Sequence, residues 1–385
     1  MSAVSSDRPS LGRRLADLGR MLVSPRGAVF LLLIVLLVAI ALLNPSFAEP
    51  GQLIRFVQRV SPVAIVAIGQ YFVIVGGEFD LSMGSVVTAQ VVIAGNLIGQ
   101  DDAKSLPVLA LMLAFGAFIG LVNGLIVTLL KVPSFIATLG MMLALLGATL
   151  YWTGGAATGN PADSFREIGR GGIRDLPVIE ILPWSVLVLV IVLAVAIWFA
   201  RRPFGRTIIA LGDNAMTARY SGTRSWWVKT STFIISALSA TLAGVLLVGY
   251  AGVHPSVGRG YEFTAITAVV LGGVVLGGGR GWVVAAAAGA FALEALFTLL
   301  NFAGVPSTYR DAVQGVIIIL AVAYAATTIR ARRRGRALET SPGPAPTNDT
   351  SPAPVAKEPD PSPDPARPAH IPSTQRADNE TKGGS

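Results

Sequence analysis

"VIVGGEFDLSMGS", residues 73–85, places two carboxylates, Glu78 and Asp80, directly behind an unbroken apolar run. They sit between a glycine pair, Gly76 and Gly77, and Ser82, and a second apolar run follows. Glycine supplies the backbone freedom an interrupted helix needs. An Asp or Ser oxygen can satisfy the unpaired N–H groups at the start of the next helix. The stretch therefore reads as helix, break, helix, with Asp80 or Ser82 as the cap. A functional contact by Glu78 or Asp80 is the other reading.

The surrounding chain decides what kind of helices these are. It has 385 residues, of which 52% are hydrophobic and 14% charged, against about 25% charged in a soluble domain. It contains many apolar stretches of roughly 17–25 residues, the length that crosses a hydrocarbon core as a helix. The expected fold class is an all-α polytopic membrane protein. The 42 glycines and 24 prolines are compatible with that, because neighbouring helices satisfy the backbone groups they free. The absence of cysteine excludes disulfides, thiolate catalysis and cysteine metal sites. Both histidines, His254 and His370, fall outside the apolar runs, so no metal site is expected. The net charge of +8 clusters beside the spans as orientation signals do, which argues against a nucleic-acid partner.

Spans are expected at roughly 27–43, 60–76, 84–99, 107–129, 134–153, 184–200, 230–250, 262–277, 281–302 and 311–328, about ten in all. The 262–302 region could instead hold a re-entrant piece. Residues 53–60, "LIRFVQRV", suit a short interfacial stub. Three regions follow: a basic N-terminus at 1–26, a transmembrane domain at 27–330, and 331–385. The basic stop cluster, Arg330 to Arg336 in "IRARRRGR", leads into the last region, which continues as a Pro-rich tail that cannot form a core. Basic residues gather at the N-terminus, in the 201–229 loop and after the last span, so both termini are expected on the cytoplasmic side.

The opening stretch has an echo. "VIVGGEFDLSMGSVVTA" (73–89) parallels "VVLGGVVLGGGRGWVVAA" (269–286) in its order of apolar run, Gly-Gly, break and apolar run. This suggests a parallel internal repeat of the kind many transporters carry. Glycine-rich helix ends are also common in membrane proteins generally.

No phosphate-cradling loop, zinc motif or nucleophile elbow occurs, so no catalytic residue is assigned. Glu294, in "FALEALF", is the one acid deep in an apolar run and by default a functional candidate; it faces either an aqueous cavity or a subunit interface. The neutral amides Gln70, Gln90, Asn123 and Gln314 suit an uncharged, hydroxylated solute better than an ion. In the loop "RRPFGRTIIALGDNAMTARYSGTRSWWVKT" (201–230), Asp213 or Asn214 reads as an N-cap and Gly222 as a C′ glycine. Between them lies a short polar helix through Tyr220, which either docks into a partner or lies on the lipid surface.

These segments line up with a known family. "GGEFDLSMGS" (76–85), "NGLIVTLLKVPSFIATLG" (123–140), "TGG" (153–155), "GRTIIALGDNAMTARYSG" (205–222), "GRGYEFTAITAVVLGG" (258–273) and "GGGRG" (277–281) occur in its order. The chain resembles the membrane permease subunit of a bacterial ATP-binding-cassette importer, of the ribose/xylose-type monosaccharide branch. The resemblance implies a permease homodimer or heterodimer in the cytoplasmic membrane, two cytoplasmic ATPase subunits holding ATP and Mg, and an extracytoplasmic solute-binding protein. It implies no cofactor on this chain and no enzyme activity of its own. By this analogy Gly212, Asp213, Asn214, Ala218, Arg219, Ser221 and Gly222 form the coupling element. The translocation path or gate takes Gly76, Gly77, Glu78, Asp80, Ser82, Gly84, Asn123, Gly277, Gly278, Gly279 and Glu294. The outer loop 154–183 would receive the binding protein through complementary charge. Two departures stand out: Glu78-Phe79 replaces the single apolar residue expected before Asp80, and Glu294 stands where a small or apolar side chain is expected. Permeases for nucleosides or branched-chain amino acids, and a self-sufficient ion-coupled carrier, are the alternatives.

Overall fold

A computed structural model of the protein describes residues 27–177, 180–320 and 323. The basic N-terminus, the stop cluster and the Pro-rich tail fall outside the described residues. The chain is mostly helical: α1 (Ala28–Leu43), α2 (Pro50–Val75), α3 (Met83–Ile98), α4 (Ser105–Thr128), α5 (Ser134–Thr153), α6 (Asp163–Arg170), α7 (Trp184–Arg201), α8 (Pro203–Asp213), α9 (Ala215–Tyr220), α10 (Ser225–Tyr250), α11 (Tyr261–Leu271) and α12 (Val283–Phe302). Residues 310–320 are helical as well. Between α6 and α7, β1 (Gly172–Arg174) and β2 (Ile181–Pro183) pair antiparallel, with Ile173 opposite Leu182.

Six of these helices are long and apolar enough to cross a bilayer: α2, α4 with the turn before it, α5, α7, α10 and α12. The apolar helices α1, α3 and α11 are shorter. Burial separates the long helices into two kinds. Within their apolar windows α2 is 83% buried and α10 78%, whereas α4, α5 and α7 are 28%, 22% and 17% buried. The first two are the core, and the last three turn most of their apolar surface outward.

Small side chains explain how closely the core packs. Gly116, Gly120 and Gly124 form one stripe on α4, four residues apart, and α10 lies against it. A Cβ at Gly120 would sit 2.6 Å from the Ile234 Cα, and one at Gly124 2.6 Å from the Thr230 Cα. Helices approach this closely in membranes only through such small-residue stripes. Polar cross-links accompany the contact. Gln90 Nε2 donates to the Met112 carbonyl at 2.8 Å and to Thr241 Oγ1 at 2.7 Å, tying α3 to both α4 and α10.

Two helices end in the same way. After α2, Gly77 adopts φ +84°, its N–H bonds the Ile74 carbonyl and the Glu78 N–H bonds the Val73 carbonyl. After α11, Gly273 adopts φ +76°, with Gly273 bonded to Val270 and Val274 to Val269. Both are Schellman closures, which need the left-handed residue that glycine supplies without a Cβ penalty. The closure at Gly272–Gly273 stops α11 six residues before the expected end at 277.

Other boundaries also move. The interfacial stub at 53–60 is continuous with α2, which carries Pro62 inside it; the packed surroundings of a buried helix tolerate the lost N–H. The basic–apolar alternation of that stub reflects the one end of α2 that is still partly exposed. Residues 251–260 run back along α3 without forming a helix: the Val253 side chain packs on Gly95, and the Gly258 N–H donates to Thr88 Oγ1 at 3.0 Å. The N-terminus of α11 is thereby brought beside the first turns of α3.

Candidate functional site

Beyond the α2 closure, residues 78–82 form no regular secondary structure and climb into the helix bundle. Glu78 pairs with Lys229, in the first turns of α10. Asp80 reaches Ser236, two turns further along the same helix. Seven residues of α10 correspond to about 10 Å of rise, so the break spans that depth as non-helical backbone. Its N–H groups then need partners inside the protein. α5 provides them: the Phe79 N–H donates to Ser134 Oγ and the Leu81 N–H to Thr138 Oγ1, each at 3.1 Å. Ser134 and Thr138 are four residues apart, so one helix face presents both hydroxyls.

Asp80 is fully buried and fully engaged. Its Oδ1 accepts from the Ser82 N–H at 2.9 Å and from Ser82 Oγ at 2.6 Å, and its Oδ2 accepts from Ser236 Oγ at 2.5 Å. Ser82 occupies the N-cap position of α3, but its side chain makes no capping bond; the carboxylate two residues earlier organises the entry to the helix. Asn123 of α4 donates to Ser82 Oγ at 2.9 Å, while its Oδ1 has no partner. Gly84 faces the returning 251–260 segment, where a Cβ would lie 2.5 Å from the Gly258 carbonyl. Asp80, Ser82, Gly84 and Asn123 thus form one buried cluster where α3 begins.

A second cluster lies at the end of α2, where three separate glycine segments meet. The Gly279 N–H donates to the Val75 carbonyl at 2.8 Å. Gly278, at φ +84°, lies so close to Gly77 and Gly212 that a Cβ on it would be 2.9 Å from the Gly77 Cα and 3.0 Å from the Gly212 Cα. A Cβ on Gly279 would meet the Asp213 Cα at 2.5 Å. The break after α2, the break after α11 and the α8–α9 corner therefore touch backbone to backbone. Gly77, Gly212, Gly278 and Gly279 are brought together, whereas Gly277 is exposed beside them.

The α8–α9 corner carries the helix expected after Asp213 or Asn214. Asn214 is the cap: its Oδ1 accepts from the Met216 and Thr217 N–H groups at 3.0 and 3.1 Å. Asp213 instead ends α8, an amphipathic helix that the apolar runs did not reveal. Gly222, at φ +80°, closes α9 with the same Schellman pattern, bonding Arg219, while Thr223 bonds Ala218. Ala218 is buried, and Met216 and Tyr220, one turn apart, are exposed at 63% and 84%. Ser221 and Arg219 sit on the exposed side with them.

Glu294 joins neither cluster. It lies three turns into α12, within electrostatic reach of Arg59 and Arg310, and the Arg310 guanidinium covers the Phe297 ring at 5.2 Å. In the 154–183 loop the charges pair locally, Arg170 with Asp163 at 3.0 Å and with Glu167 at 3.2 Å, and α6 packs on α10 through Gly169 and Gly249. Ser134, Thr138, Ser236 and Lys229 complete the site although sequence reading did not select them. The i, i+4 spacing of Ser134 and Thr138 is the one signal that could have found the first two. Among the described residues no cluster of acids and histidines has the arrangement that holds a metal.

Residues 52–322 match the family described as "Branched-chain amino acid transport system / permease component". The ribose import permease protein RbsC of Escherichia coli K12 is 38% identical over 297 residues, covering 75% of this chain and 90% of that protein. The ribose import permease protein RbsC of Bacillus subtilis 168 is 36% identical over 301 residues, covering 76% and 90%. An autoinducer 2 import system permease protein LsrC of Salmonella typhi is 33% identical over 304 residues, covering 76% and 84%. No solved structure matches. The chain belongs to this permease family and is a multi-pass protein of the cytoplasmic membrane.

Proposed function

We propose that this permease is the membrane subunit of an ATP-driven importer for a monosaccharide or a similar small hydroxylated solute. Two permease copies, two cytoplasmic ATPase subunits that bind ATP and Mg, and an extracytoplasmic binding protein complete the machine. ATP is hydrolysed on the ATPase subunits, not on this chain. The relatives named for ribose and autoinducer 2 support a sugar-type cargo over the amino-acid cargo in the family's description.

One observation carries the mechanism: the α8–α9 corner is locked by backbone contact onto both glycine breaks, through Gly212 against Val75 and Gly77 behind α2, and through Gly212 against Gly278 and Asp213 against Gly279 behind α11. Met216 and Tyr220 give α9 an exposed apolar face suited to a groove on the ATPase. A displacement of α9 on ATP binding is passed without slack to the segment behind α2 and to the start of α12. The break at 76–82 is held by hydrogen bonds that α5, α4 and α10 can exchange as it moves, which is how the gate opens. The outer loop 154–183 is the receiving surface for the binding protein.

In this reading the polypeptide crosses the membrane about ten times with both termini in the cytoplasm, where the basic N-terminus and Pro-rich tail remain. The matching Schellman closures at Gly76–Gly77 and Gly272–Gly273 support a parallel repeat with one break in each half. Neutral amides, Asn123 and Gln90 among them, are suited to a sugar hydroxyl. The test is reconstitution of the permease with its ATPase and binding protein in proteoliposomes. ATPase stimulation is then measured across pentoses, hexoses, nucleosides and branched-chain amino acids. Stimulation by one sugar-loaded binding protein is the expected result; uptake driven by an ion gradient without an ATPase would contradict it.

A further inference from the structure

A cleft of ≈ 720 Å³ opens beside the Glu78–Lys229 pair, between the α4–α5 connection and the start of α10. Lys131, Arg219, Arg224 and Lys229 line it, and Glu78 is the one acid among them. Glu78 is taken up by Lys229. Lys131, Arg219 and Arg224 form no ion pair among the described residues, so the cleft carries three uncompensated positive charges.

Lys131 holds a left-handed backbone at φ +57°, a conformation that costs an L residue with a long side chain about 1 kcal/mol or more. Its neighbours identify the surroundings. Leu129 and Leu130 before it, and Phe135 and Ile136 after it, are all exposed. They continue the outward apolar surfaces of α4 and α5 up to the rim of the cleft. Trp226, on the opposite rim, and Trp227 beside it are exposed and stack edge-on at 5.8 Å, as aromatic rings do at a bilayer interface. The cleft therefore sets three cations beside a wall of exposed apolar side chains and a pair of exposed tryptophans.

We infer that the cleft binds an anionic phospholipid. The headgroup phosphate lies among Lys131, Arg219 and Arg224, and an acyl chain lies along Leu130 and Phe135. Arginine offers a phosphate two parallel N–H donors, and basic pockets between membrane helices recognise such headgroups. The inference needs only that the cleft lie at a membrane–water interface, on whichever side, so it stands apart from the transport reading. Bound lipid would join the last turn of α9, through Arg219, to the α4–α5 connection.

The test uses the full-length permease in a mild detergent, titrated with phosphatidylglycerol, with phosphatidylcholine of the same chains, and with inorganic phosphate. Retained lipid is read by native mass spectrometry and stability by the thermal unfolding midpoint. Phosphatidylglycerol should bind saturably and raise the midpoint, while phosphatidylcholine and phosphate should not. In Lys131→Gln/Arg224→Gln the apparent affinity should fall about tenfold or more, the order expected for losing two basic groups from a headgroup site. Lys131→Arg/Arg224→Lys should restore it, which separates lost charge from lost folding. Equal stabilisation by phosphatidylcholine, or saturation by phosphate alone, would overturn the inference. So would phosphatidylglycerol binding that survives neutralisation, or its release when the ATPase subunits dock.

Discussion

The backbone N–H of Gly279 donates to the carbonyl of Val75 at 2.8 Å, joining the loop after α11 directly to the end of α2. Gly212 fits between these two segments, and a Cβ there would lie 2.7 Å from the Gly279 nitrogen and overlap the Val75 carbonyl. Contacts of this kind transmit displacement because a packed junction has no free volume to absorb it.

Gly212→Ala should therefore wedge the junction apart. The expected outcome is a folded permease that still binds its ATPase but loses solute-stimulated hydrolysis. The check is an ATPase assay in proteoliposomes, paired with size-exclusion chromatography of the complex.

Asn214→Ala removes the acceptor for two N–H groups of α9, which costs about 1 kcal/mol of local helix stability. A helix of six residues has little else to hold it, so coupling should fall with it. Asn214→Asp keeps the acceptor and should retain coupling. Asp213→Ala leaves the cap intact and should be the milder change of the two alanines.

Asp80→Ala leaves Ser82 Oγ, the Ser82 N–H and Ser236 Oγ without their shared acceptor in a fully buried place. Each buried group left unpaired costs about 1–3 kcal/mol. Thermal unfolding in detergent should show a large loss for Asp80→Ala. The loss should be smaller for Asp80→Asn, which can still accept through Oδ1 and donate to Ser236.

Gly120→Val overpacks the contact with Ile234 and should destabilise the protein by about 1–3 kcal/mol. Gly140→Ala, inside α5 with no atom within 4 Å of the added Cβ, should not lower the unfolding midpoint, because alanine is the better helix former. The same measurement serves both variants, and equal behaviour would remove the small-residue stripe as the reason for the close α4–α10 packing.

What was legible in the sequence was local. Apolar runs ended by Gly or Pro placed α5 and α12 within a few residues, because burial and helix termination act over one or two turns. The α9 helix was legible from Asn214 and Gly222 for the same reason: a cap and a left-handed closure are made by neighbours in the chain. α8 is not legible because its apolar run, Ile208–Leu211, is only four residues long, and the end of α11 is not legible because an apolar run does not register a Schellman closure inside it. The site itself is made of distant pairs. Glu78 and Lys229 are 151 residues apart, and Asp80 and Ser236 156. Nothing in "GGEFDLS" names the hydroxyls that receive its backbone; only the folded bundle brings Ser134 and Thr138 beside it.

The most direct test of the account asks whether ATP at the partner subunits moves the 76–82 break through the glycine junction. The chain has no cysteine, so Phe79→Cys, in the half-buried part of the break, gives a single reactive thiol. Its labelling rate by a water-soluble maleimide is measured in the assembled complex with and without ATP, and again in Phe79→Cys/Gly212→Ala. The account predicts a labelling rate that changes with nucleotide in the first protein and is indifferent to nucleotide in the second. A rate that ignores nucleotide in both, or that responds equally in both, would contradict it.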